Sequence, residues 1–326
     1  SKAAVSVTGS GNTTIKLDGD NHLTGGNGIY SNSRGSLTIS GDENDSLTAQ
    51  GGDSRNGIYS VSGDVTISGG TVTATGGNST SNYGSGGDGI HSGSLTISGG
   101  TVTATGGGST GSNGLGGRGI YSVSGDVTIS GGTVNANGGD GKDGSGGGID
   151  SSGSVAISGG TVTAKGGSGE DGGDGIYSSS GVAISGGAVN AAGGDGGNGK
   201  DGGDGIYSSD IDLSGSLELT AKAGSPNGKA LSQRGNELDL NTIKDKLGPG
   251  AKVTTTDADG KVIKQVSIPR PVEPEGPVIP EDSSSSSDGG SSAPSAPVSS
   301  IPGLTVTDKS GAVISYTSTQ SGNTLT

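Results

Sequence analysis

Residues 56–77 read NGIYSVSGDVTISGGTVTATGG: one isoleucine, then Val65 and Ile67, then Val72 and Ala74, with polar or glycine positions between them. Apolar residues two apart lie on one face of a strand. The pattern therefore predicts three short strands per unit, separated by Gly/Ser/Asp turns. The leading isoleucine returns as Ile29, Ile58, Ile90, Ile120, Ile149, Ile176 and Ile206, at intervals of 27 to 32 residues. The other columns return with it, as Ile90, Leu95, Ile97, Val102 and Ala104, and as Ile120, Val127, Ile129, Val134 and Ala136. Self-similarity at this period, with strands and no helix-length segment, predicts a solenoid. Successive units run the same way, so the ladders are parallel, and parallel crossovers are right-handed. The expected fold is all-β: a right-handed parallel β-helix of about eight coils.

The ends depart from the repeat. Val5/Val7 and Ile15/Leu17 mark a first, imperfect coil, and Leu231, Leu238 and Leu240 continue the columns beyond the last clear unit. A short helical turn is expected at 242–248, and Asp259-Gly260 between two strand-like runs signals a hairpin. Residues 230–268 are read as a C-terminal cap and 1–268 as the β-helix with both caps. Residues 269–302 are read as a Pro/Ser-rich linker, and 303–326 as a short β-type tail, favoured as the start of a truncated next domain with a strand-adding tail as the alternative.

Composition removes several alternatives. The 74 glycines have no three-residue period, which excludes collagen, and register between units argues against disorder. A net charge of −14 argues against tracking a phosphate backbone. No apolar run is long enough to span a bilayer. With no cysteine there are no disulfides or thiolate metal sites.

The residue after each column isoleucine faces outward. Those positions are Tyr30, Tyr59, His91, Tyr121, Asp150, Tyr177 and Tyr207. Stacked rings with hydroxyl handles suit contact with sugar rings, so the five tyrosines and His91 are candidate carbohydrate-binding residues; they also suit a purely structural ladder. The loops closing later units are acidic, with Asp140, Asp143, Glu170, Asp171, Asp174, Asp195, Asp201 and Asp204. Carboxylates on glycine-rich turns are ligands that Ca²⁺ takes; a solvated acidic edge, with Lys142, Lys165 and Lys200 as counter-charges, is the alternative. Thr71, Thr73 and Thr75, repeated as Thr101, Thr103 and Thr105, form an outward threonine row of the kind that binds ice, but it decays to Asn135, Asn137 and Lys165. No Ser/His/Asp set or paired-carboxylate cleft stands out, so catalysis is not expected.

The stretch TTIKLDGDNHLTGGNGIYSNSRGSLTISGDENDSLTAQGG, followed by recurrent NGIYS and GDVTISGGTVTAT, resembles a family of secreted carbohydrate-binding, polysaccharide-lyase-like parallel β-helices of anaerobic Gram-positive bacteria. The resemblance covers about residues 12–225. It implies binding of cellulosic or acidic, pectin-like polysaccharide with calcium and without catalysis, and the Pro/Ser linker implies display on a cell surface. The expected function is a non-catalytic extracellular polysaccharide-binding module. A stalk or adhesin module that binds no glycan is the alternative, and a polysaccharide lyase the third.

Overall fold

The computed structural model describes residues 2–271 and, in a separate unit, a two-residue antiparallel pair, Gln320–Ser321 with Thr324–Leu325. Most of the expected linker and tail at 269–302 and 303–326 lies outside the described residues.

Residues 2–271 form an all-β parallel solenoid. Its three sheets have 10, 8 and 10 strands, and strands that follow each other in one sheet come from successive repeats, save the last of the first and third sheets, which fold back antiparallel. In one coil they are Ile58–Ser60 in the first sheet, Val65–Ile67 in the second and Thr71–Thr75 in the third. Register holds residue by residue: Ile58 pairs with Ile90 and Ile90 with Ile120, while Val72 pairs with Val102 and Val102 with Val134. About eight turns stack in this way.

The spacing of two explains the core. Ile58, Val65, Ile67, Val72 and Ala74 are fully buried, as are their counterparts in the next coils, and they join one continuous apolar column. Burial of each larger aliphatic is worth about 1.5–3 kcal/mol. Stacked neighbours supply what a single coil lacks. The corner between the second and third sheets is a Gly-Gly pair whose second member has positive φ, as at Gly100 (+79°). A side chain there would also meet the Gly70 carbonyl 2.5 Å away, so the corner needs glycine on both counts.

A second buried column was not anticipated from the sequence. Ser31, Ser60, Ser92, Ser122, Ser151, Ser178 and Ser208 point inward two places after the column isoleucine. Several turn their hydroxyls to corner carbonyls; the Ser122 Oγ donates to Gly93 and Gly125 at 2.8 Å each.

The two ends differ. Val5–Val7, Thr13–Lys16 and Asp20–Gly25 form the first coil, with Val5, Val7 and Ile15 only partly buried. At the other end Leu231–Gln233 continues the first sheet in register. A 3₁₀ helix, Leu240–Lys246, inserts Leu240 and Ile243, two residues earlier than the expected turn at 242–248. The hairpin is present, but only its second strand is a cap: Lys252–Thr256 is still a parallel rung of the third sheet, and Val262–Ser267 folds back on it antiparallel. No helix among the described residues is long and apolar enough to cross a membrane.

Candidate aromatic face and the break in its column

Because the first sheet is in register, the residues after the column isoleucines lie one above another, about 4.8 Å apart per coil. All are half-buried. Tyr30 and Tyr59 are tilted against each other at 5.7 Å, and His91 sits edge-on between Tyr59 at 4.7 Å and Tyr121 at 5.0 Å. Tyr177 and Tyr207 are nearly parallel, 5.5 Å apart with 6° between their planes. Asp150 divides the column into these two blocks. The Nδ1 of His91 lies 2.8 Å from Asp88 Oδ2, so this ring is tied to its own turn.

Two residues before each column isoleucine runs a second column: Asn27, Asn56, Asp88, Arg118, Gly147, Asp174 and Asp204, ending at Lys229. Its side-chain oxygens join the coils. Asn27 Oδ1 accepts the Asn56 N–H at 2.9 Å, Asn56 Oδ1 that of Asp88 at 2.7 Å, and Asp88 Oδ1 that of Arg118 at 2.8 Å. Asp174 and Asp204 do the same for Asp204 and Lys229, at 2.6 Å each. The series stops at Arg118, which offers no acceptor, and at Gly147, which has no side chain.

Both columns thus break at the Ile149 coil, and a cavity of about 430 Å³ opens there. Arg118, Tyr121, Asp150, Asp174 and Tyr177 line it, with Ser145 and Gly147. The Arg118 Nε donates to Asp150 Oδ2 at 2.6 Å, and its guanidinium carbon lies 4.1 Å from the centre of the Tyr121 ring. Burial pushes the Asp150 carboxyl up, against the pull of Arg118. Burial pushes Asp174 up to about 7, with Asp204 and Asp150 adding to the shift and the bond from the Asp204 N–H opposing it. Burial also raises Tyr177, followed by the charge of Asp150.

The eight acids read as calcium ligands do not converge. Asp140 Oδ1 accepts the Ser168 N–H at 2.7 Å, and Asp195 Oδ1 that of Ser225 at 2.9 Å. Glu170 and Asp201 accept the side-chain amides of Asn198 and Asn227, at 2.8 Å each. Asp171 lies 3.7 Å from the Lys200 Nζ. Asp174 and Asp204 belong to the column above, and Asp143 is exposed. Among the described residues no three His, Cys, Asp or Glu side chains form a group able to hold a metal ion. Most of these carboxylates instead bond to the following coil, so the donor set does not fit a protein-built Ca²⁺ cage.

Sequence reasoning placed the tyrosines and the acids on the surface but missed Gly147 and Ser145. The available signal was Gly147 standing where neighbouring units carry Asn or Asp. No curated protein and no solved structure matches the chain. Four stretches, residues 65–94, 95–117, 127–149 and 155–176, match the family model described as a beta helix repeat, and across these coils the chain is similar to proteins built from that repeat.

Proposed function

We propose that the solenoid is a non-catalytic polysaccharide-binding module of a secreted bacterial surface protein, holding its glycan along the aromatic face of the first sheet. The observation that supports this most is the parallel Tyr177–Tyr207 pair beside the cavity at Asp150. Tyrosine rings offer an apolar face to sugar C–H groups and a hydroxyl to sugar oxygens. A volume of about 430 Å³ lies in the range of small-ligand sites and suits one sugar unit. A column running across several coils gives a polymer repeated contact. Asp150 is held by Arg118 through one oxygen and Asp174 accepts the Asp204 N–H through one oxygen, so each carboxyl keeps a second oxygen with which to accept a bond from a sugar hydroxyl or amide.

The stalk reading draws on a different observation. The aromatic rings pack on one another and the Asn and Asp side chains bond from coil to coil without a ligand. A pull-down on a panel of insoluble and immobilised polysaccharides separates the two. Retention that is lost in Tyr177→Ala supports glycan binding; no retention on any member supports the stalk.

A further inference from the structure

The break in the two columns is specific about what is missing. In every other coil from Asn56 to Lys229, the N–H of the pre-isoleucine residue is met by a side-chain oxygen of the coil before. The N–H groups of Gly147 and Asp174 have no hydrogen-bond partner among the described residues. The backbone does not demand glycine at 147: its φ is not positive, and an added Cβ would meet nothing closer than the Asp174 carbonyl oxygen at 3.4 Å and Asp150 Cβ at 3.8 Å. The space of one Asn or Asp side chain is left open, facing an unmet donor. One place along, Asp150 replaces a ring, so one face of Tyr177 is left without an aromatic neighbour while the other stacks on Tyr207. Ser145, which lines the same cavity, has its Oγ closed to solvent and unpartnered.

These features state what a ligand must bring. It needs an acceptor oxygen for the Asp174 N–H, a donor for the carboxyls of Asp150 and Asp174, and a ring with an apolar face for Tyr177. It must also be uncharged or positive. Asp150 and Asp174 line the cavity, Asp204 follows Asp174 in the column and Asp88 precedes Arg118 in it, and Arg118, the cation that lines the cavity, is already paired with Asp150. A ligand carboxylate would meet like charge. We propose that the break at the Ile149 coil is a subsite for an N-acetylated amino sugar, whose acetamido group takes the place of the side chain absent at Gly147. Its carbonyl accepts where the amides of Asn27 and Asn56 accept in their own coils, its N–H donates to the carboxyls, and its pyranose ring lies on Tyr177. The proposal rests on the glycan-binding reading and departs from the acidic polysaccharide expected from the sequence.

The test is calorimetric titration of the full chain with tetramers of N-acetylglucosamine, glucose (β-1,4-linked) and galacturonate. The N-acetylated tetramer is expected to bind about tenfold or more tightly than either other, the value of the hydrogen bonds that the acetamido group alone can make, since all three rings can lie on Tyr177. Gly147→Asn rebuilds the column, and should remove that advantage without lowering the melting temperature. Asp150→Tyr fills the ring gap from the other column and should have the same effect on binding. Equal or tighter binding of the glucose or galacturonate tetramer, or unchanged N-acetylglucosamine binding in both variants, overturns the subsite and leaves the glycan-binding reading standing. No binding of any tetramer, with no retention in the polysaccharide pull-down, overturns both.

Discussion

Arg118 donates from Nε to Asp150 Oδ2 at 2.6 Å, joining the Ile120 coil to the Ile149 coil at the point where both surface columns break. The pair is only partly shielded; the Arg118 side chain is 39% exposed. Burial works against the charge of each partner. It is outweighed at Arg118 by the attraction of Asp150, but not at Asp150, whose carboxyl stays above its ordinary range. Removing one partner therefore differs from removing the other. Arg118→Ala leaves a half-buried carboxylate alone and is expected to lower stability by about 1–2 kcal/mol, discounted for exposure. Asp150→Asn should lower it by about 0.5 kcal/mol, because relief of desolvation offsets the lost attraction. Urea midpoints of the two single variants and the double variant give the coupling, expected at about 1 kcal/mol.

Asp174 makes stability depend on pH. Its carboxyl titrates at about 7 in the folded chain, raised by burial, by Asp204 and by Asp150, and near 4 once unfolded. Between those values the folded chain keeps a proton that the unfolded chain has released. Stability therefore falls as pH rises through this window and levels off above it. Asp174→Asn keeps an acceptor for the Asp204 N–H, as Asn27 and Asn56 do in the same column. Arg118, Tyr177 and the neighbouring acids are common to both proteins, so the difference between them isolates residue 174. The variant should gain about 1–2 kcal/mol on the parent between pH 5 and pH 8, roughly half the full linkage because the side chain is partly solvated. A constant difference in urea midpoint across that range would place this carboxyl among ordinary ones.

The stacked core predicts a gradient of mutational damage along the solenoid. Ile120 is fully buried between Ile90 and Ile149. Ile120→Ala is expected to cost about 3–4 kcal/mol, the transfer of the side chain plus the cavity left between fixed neighbours. Val5 sits in the end coil and is partly buried. Val5→Ala should cost about 1 kcal/mol, since the site is already partly hydrated. Equal losses in denaturant melts would contradict nearest-neighbour stacking.

Calcium removal should leave the fold unchanged. Asp140, Asp174, Asp195 and Asp204 already accept backbone N–H groups from the next coil, and a ligand stabilises only by preferring the folded state. With chelator or with millimolar calcium, the melting temperature is expected to agree within about 1 °C. A rise of several degrees with calcium would show that loop carbonyls complete a site the carboxylates do not make alone.

The strands and their register were legible because two simple periods coincide. A spacing of two identifies the inward face of Val65–Ile67 and Thr71–Thr75, and the return of Ile58 as Ile90 fixes which rung lies on which. The tyrosine row followed from the same arithmetic. The acids were harder, because one residue type serves two ends. An aspartate on a glycine-rich turn is equally suited to a cation and to the peptide N–H of the next coil, and only the distance to that N–H decides. The pairing of Arg118 with Asp150 was out of reach for a related reason. Their separation of 32 residues spans a loop of variable length, and periodicity says nothing about where a long side chain turns. The buried serines carried a visible signal, an invariant place two after the column isoleucine, but a small polar residue there reads as a turn until the corner carbonyls are seen.

Because each rung repeats the bonding edge of the one below, the molecule behaves as a graduated rule, with a division about every 4.8 Å. A substitution outside the core does not alter the scale; it writes a mark at one division. Gly147 and Asp150 are such a mark, made by two residues at the same level. Inserting or removing one whole repeat on either side would move that mark relative to the tyrosine pairs by a fixed step. The separation of contact points along a bound polymer could then be reset without redesigning any of them.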